Sequence, residues 1–189
     1  EVAYNQERER SRDLGRHGAA FVAGGPTASE ISALIEAPAV EPIRVYAGLE
    51  SAETMRARAE LIVAELERTG AFERAVLVVA TTTGSGWLEP QTVDALEYLH
   101  AGDTAIVSMQ YAYTPSWVSF VFDPDAPVVA AKVLFDAVEQ RWLQLPPNNR
   151  PQLISYGLSL GAHGSQAVFA DLDDLRARTD GAMFVGSPG

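Results

Sequence analysis

A short apolar segment, Leu153-Ile-Ser-Tyr156, runs directly into Gly157-Leu-Ser-Leu-Gly161 and on into Ala-His-Gly-Ser165. An extended stretch that ends this way has to turn sharply into a helix, with Ser159 at the apex. The two glycines have a steric task. A serine at such a turn sits in a cramped backbone, and side chains two residues to either side would collide with the crossing strand and helix. The turn lifts a hydroxyl above the end of a strand, and Ser159 is therefore the candidate nucleophile.

The rest of the chain supplies the sheet on which such a turn is mounted. Ile43 to Leu49 reads as a strand, with Ser51 a plausible cap for the helix that follows. Met55, Ala59, Ile62 and Leu66 recur at helical spacing, and Gly70 is placed to stop that helix in a left-handed conformation. Ala75-Val-Leu-Val-Val-Ala80 is apolar on both faces, as a parallel strand covered by helices must be. Pro90 opens a helix running to about His100, and Thr104 to Met109 is a further strand. A helix from about Pro127 to Leu145 is ended by Pro146-Pro147. The Leu153 strand, a helix after Ser159 and a last strand, Ala182 to Val185, complete the pattern. Strands alternating with helices predict an α/β fold, a mostly parallel sheet with right-handed crossovers and helices on both faces. Ligands gather at the carboxyl ends of such strands, where the loops after Ala80, Met109 and Val185 join Ser159. Residues 1–40 are weakly patterned and read as a leader or linker wrapping the domain at 41–189, with one weak helical segment from Ser29 to Ile35.

At 189 residues and 47% hydrophobic, the chain is expected to form one core. Its net charge of −11 repels phosphate backbones, so no nucleic-acid partner is expected. Without cysteine, thiolate metal sites and disulfides are excluded, and no cluster with ligand spacing predicts a metal. The start, Glu7-Arg-Glu-Arg-Ser-Arg-Asp13 included, does not read as a signal peptide, and no apolar run is long enough to span a bilayer. A chain opening on Glu1 suggests a fragment or processed product.

Serine chemistry needs more than a serine. The backbone N–H of Leu160, just after the nucleophile, is the first expected donor to a developing oxyanion. Thr81-Thr-Thr-Gly-Ser-Gly-Trp87 stands where the second arises, and Gly84 or Ser85 is the candidate. Losing one such donor costs ~10²–10³ in rate. The general base is harder to find. Where a serine is mounted on this turn, the acid and then the histidine follow it in the chain. His163 comes only one helical turn later and reads as a packing or surface residue. His100 closes a helix, where an imidazolium meets the negative end of the dipole. His17 lies in the charged leader. Asp171, Asp173, Asp174 and Asp180 read as a solvated helix face and a turn. The aromatics Trp87, Tyr111, Tyr113, Trp117, Phe120 and Phe122 follow strand ends. Of these, Trp87 and Tyr111 are the candidate pocket walls, the alternative being core and lid packing.

Five motifs in order carry a family resemblance: Pro42-Ile-Arg-Val-Tyr-Ala-Gly-Leu-Glu-Ser-Ala52, Glu65-Leu-Glu-Arg-Thr-Gly-Ala-Phe72, Thr83-Gly-Ser-Gly-Trp87, Gln110-Tyr-Ala-Tyr-Thr-Pro-Ser-Trp117 and Gly157-Leu-Ser-Leu-Gly161. Over about residues 20–189 the chain resembles the bacterial, largely actinobacterial, membrane-anchored α/β-hydrolases, in which an N-terminal membrane region precedes a hydrolase domain. The resemblance implies an α/β-hydrolase-like fold lacking its C-terminal part, Ser159 as nucleophile, and the loop from Thr83 to Trp87 on the oxyanion side. It also implies tethering to the cell membrane by segments outside this chain. The acid and histidine are expected beyond Gly189.

The leading expectation is a serine hydrolase acting without a cofactor on a small-molecule or lipid acyl ester or thioester. An acyltransferase differs only in the nucleophile that resolves the acyl-enzyme. A hydrolase-like scaffold without turnover is the alternative from another class. A phosphate-cradling nucleotide module is disfavoured, because Thr81 to Gly86 lacks both Gly-x-Gly-x-x-Gly and the Gly-Lys-Ser/Thr ending.

Overall fold

Two-residue alternation along four strands divides the apolar residues between the faces of one sheet. The structure, a computed structural model, describes residues 2–4, 14–113, 123 and 125–188. Strands β2 (Ile43–Ala47), β3 (Val76–Thr81) and β4 (Thr104–Met109) are buried at every position, as parallel strands covered on both sides must be. Ile43, Val45, Leu77, Val79, Ala105, Val107 and Leu153 point into one core with helices α3 (Met55–Arg68) and α5 (Ala126–Leu143). Tyr46, Val76, Val78, Ala80, Ile106 and Tyr156 point into the other, against α1 (Gly15–Ala23) and α4 (Pro90–Leu99).

With β1 (Val2–Tyr4), β5 (Gln152–Leu158) and β6 (Gly181–Val185), the sheet runs β1-β2-β4-β3-β5-β6. Only β1 is antiparallel. The carboxyl ends of β2 to β6 therefore share one edge. The predicted α/β architecture, a mostly parallel sheet with helices on both faces, is the one observed.

Several boundaries differ from the sequence reading. Ser51 does not cap α3. It ends a short 3-10 turn, Leu49–Ser51, and its hydroxyl accepts from the Gly48 N–H at 3.0 Å. The cap is Thr54, whose hydroxyl accepts from the Ala57 N–H at 3.1 Å. Gly70 ends the helix at φ +71°, as expected. Residues 14–35 hold more structure than a linker reading implies. Besides α1 they form α2 (Ala28–Ile35), closed at its start by a capping box between Thr27 and Glu30. Leu14, Phe21, Val22 and Ile31 are buried. The helix expected after Ser159 is two short ones, α6 (Leu160–Gln166) and α7 (Leu172–Arg178).

One polar group is built into the α1–α4 face. Arg44 on β2, 3% exposed, grips Glu97 of α4 with two bonds of 2.7 Å and meets Asp94 at 2.6 Å. Its remaining amino group donates to the Phe21 carbonyl at 3.0 Å. Burial, aided by the neighbouring Asp94 and Glu41 carboxylates, raises the Glu97 carboxyl above its ordinary range, against the pull of Arg44. The arginine thus joins β2, α1 and α4 through one fork of donors.

Candidate active site

Ser159 stands between β5 and α6 at φ 55° and ψ −121°, a conformation rarely adopted by residues with a side chain. The backbone is held there from both sides. The Ser159 N–H donates to the Val185 carbonyl at 2.8 Å, and its carbonyl accepts from the His163 N–H at 3.1 Å. The glycines at 157 and 161 are there because nothing larger fits. A Cβ on Gly157 would lie 2.3 Å from the Gly161 carbonyl oxygen, and one on Gly161 would lie 2.2 Å from that of Thr81. Strand β5, helix α6 and the end of β3 meet at this point. The Ser165 hydroxyl adds a bond to the Thr81 hydroxyl at 2.8 Å and another to the Tyr156 carbonyl at 3.0 Å. The Ser159 side chain is partly exposed and makes no hydrogen bond to a described residue.

The contact between Gly161 and the carbonyls of Thr81 and Thr82 brings the loop after β3 to the elbow. That loop folds into a four-residue turn in which the Gly86 N–H donates to the Thr83 carbonyl at 2.9 Å, with Gly84 and Ser85 at its apex. The Thr83 N–H is taken by the Trp87 carbonyl at 3.0 Å. The N–H groups of Thr83 and Gly86 are thus both engaged within the loop. Gly86 has φ +91°, and the Tyr46 hydroxyl, bonded to its carbonyl at 2.8 Å, occupies the space a Cβ would need. Leu160, whose N–H opens α6, follows the serine directly.

The other named residues are distributed more widely. Tyr111 is buried in the α3–α5 core, and its hydroxyl has no partner among the described residues. Burial holds that phenol above its ordinary pKa. Trp87 lines a crevice of about 90 Å³ on the opposite face, with His17, Phe21 and Arg44. His17 is thus half-buried on α1 rather than free in a leader. Tyr113 is exposed and its hydroxyl donates to Glu50. Trp117, Phe120 and Phe122 lie outside the described residues.

The histidines and aspartates stay away from the serine hydroxyl. His100 is the C-cap of α4, at the far end of the sheet, and His163 is joined to Ser159 through backbone alone. Asp171 caps α7 through the Asp174 N–H at 2.8 Å, and Asp174 faces Arg178 at 3.7 Å. Asp180 accepts from the Leu153 N–H at 2.8 Å, at the amino end of β5. Sequence reasoning missed two residues that support the turn, Tyr46 and Gln110. A hydroxyl-bearing side chain on a strand that is apolar apart from Arg44 was the available signal for Tyr46.

The sequence model described as the Alpha/beta-hydrolase family matches residues 43–189, which span β2 to β6 with the elbow and the turn after β3. No curated protein and no solved structure matches the chain. A family match over most of its length, on a sheet of this order carrying this elbow, shows that the chain belongs to the α/β-hydrolase family.

Proposed function

We propose that the chain is a serine hydrolase of the carboxylesterase, lipase or thioesterase type, acting through an acyl-enzyme on Ser159. The observation that carries the reading is the backbone of Ser159 at φ 55°, between two glycines whose hydrogens are all the space allows. Strain of this kind costs ~1–3 kcal/mol and persists where the surroundings enforce it. Here it presents a hydroxyl that has no structural bond to make.

In this reading Ser159 Oγ attacks the acyl carbonyl as its proton passes to a general base. The charge that builds on the carbonyl oxygen is met by the N–H of Leu160 and by that of Gly84 or Ser85. The C–O or C–S bond then breaks, the leaving group takes the proton, and water repeats the sequence on the acyl-serine. The base comes from outside the described residues, since none of the three histidine side chains bonds to the Ser159 hydroxyl. A membrane tether would also lie outside them, because no described helix is long and apolar enough to cross a bilayer.

One observation favours a second reading, a scaffold without turnover: the Ser159 hydroxyl has no base beside it among the described residues. Intact mass after treatment with a fluorophosphonate separates the two. One adduct per chain, absent from Ser159→Ala, is the expected result. No adduct on folded protein would refute the hydrolase reading and leave the fold untouched.

A further inference from the structure

We infer that Gln110 is a positioning residue for the oxyanion turn, a strut from the end of β4 that fixes where the apex peptide between Gly84 and Ser85 can stand. The inference rests on the hydrolase reading and goes on to assign how one half of its oxyanion hole is held. The Gln110 side-chain amide donates to the Ser85 carbonyl at 3.2 Å and to the Ala112 carbonyl at 2.9 Å. One buried group thereby ties the loop after β3 to the loop after β4.

The strut is itself fixed at both backbone groups. The Gln110 N–H donates to the Ala47 carbonyl at 2.9 Å, and its carbonyl accepts from Arg58 Nη1 at 3.0 Å. Its side chain is packed as closely, since a Cβ on Gly86 would lie 2.9 Å from Gln110 Cγ. The peptide from Ser85 to Gly86 is consequently held on two sides, its carbonyl by Gln110 and its N–H by Thr83. The Gly86 carbonyl is held in turn by Tyr46. Three consecutive fixed points beyond the apex, the Ser85 carbonyl and both backbone groups of Gly86, set where the Gly84–Ser85 peptide stands. A donor must already be aimed when charge develops, and a misplacement of about 1 Å costs up to ~10² in rate.

The test is the rate of phosphonylation of Ser159, in which the Oγ–P bond forms, the P–F bond breaks, fluoride leaves and the proton passes to the base. The phosphoryl oxygen gains charge where an acyl oxygen would. In Gln110→Met the donor is absent. In Gln110→Glu the shape is kept, and the group donates only while its carboxyl is protonated. We expect kinact to fall about 10- to 100-fold in Gln110→Met with KI unchanged. Gln110→Glu should show the same loss at high pH and recover relative to wild type as pH falls. A residue that merely stabilised the loop would change the midpoint of unfolding without giving this pH-dependent recovery. Wild-type kinact in both variants, or a change in KI alone, overturns the role of Gln110 while the labelled wild type upholds Ser159. An unlabelled wild type removes the reading and the strut together.

Discussion

Replacing Ser159 by glycine should stabilise the fold while removing the proposed nucleophile. At φ 55° and ψ −121° the Cβ of Ser159 is the source of the strain, which is worth ~1–3 kcal/mol. Glycine relieves it and gives back ~0.5–1 kcal/mol through the greater freedom of the unfolded chain. The hydroxyl makes no bond to a described residue, and both backbone bonds, to Val185 and from His163, survive the change. The balance is a gain centred on ~1 kcal/mol and reaching ~2.5 kcal/mol for Ser159→Gly. Ser159→Ala keeps the Cβ and should stay within about 0.5 kcal/mol of wild type. Urea unfolding at equilibrium, with equal m values as the check on two-state behaviour, measures both. For a domain of this size each kcal/mol is also ~2–4 °C in Tm. A Ser159→Gly protein no more stable than Ser159→Ala would refute the argument that Ser159 is strained by its neighbours.

The buried ion pair gives an ordered pair of outcomes. Arg44→Met leaves Glu97, which is fully buried, without its cation and should cost ~3–5 kcal/mol. Glu97→Gln leaves Arg44 bonded to Asp94 and to the Phe21 carbonyl and should cost ~1–2 kcal/mol, so equal costs in urea unfolding would contradict the geometry. At high pH, the Tyr46 phenol, held by burial well above its ordinary value of 10.0, keeps a proton that the unfolded chain gives up. The resulting stability is complete below pH 10.0 and is lost as pH rises toward the folded value, so unfolding midpoints should drop in that range and drop less in Tyr46→Phe. That variant also forfeits the bond to the Gly86 carbonyl, at ~1 kcal/mol near neutral pH.

How far the sequence could be read follows from which interactions leave a periodic trace. Strands β3 and β4 are legible because burial on both faces demands an apolar residue at nearly every position, and neighbours cannot satisfy that demand for them. The α1 helix is not. Gly15 and Gly18 lower its local propensity, and Gly18 is there for a reason outside the helix: a Cβ would meet the Tyr46 ring at 2.4 Å. Strand β1 is three residues long and is defined by its pairing with β2, which no local pattern announces. The elbow was legible because its constraint is local in sequence as well as in space, with Gly157 and Gly161 two residues to either side of Ser159. The supports of the oxyanion turn obey no such rule. Tyr46 reaches a carbonyl 40 positions away and Gln110 one 25 positions away. Each partner is a backbone group, which every residue carries, so the identity of Gly86 or Ser85 says nothing about who binds it. A hydrogen bond from a side chain to a distant carbonyl marks only the donor. The donor is visible in advance only as a polar residue on a mostly apolar strand or at its end, as Tyr46 and Gln110 are. Unexplained polar residues of that kind, beside a turn that chemistry requires to be rigid, are where a sequence reading of such a site should look for its supports.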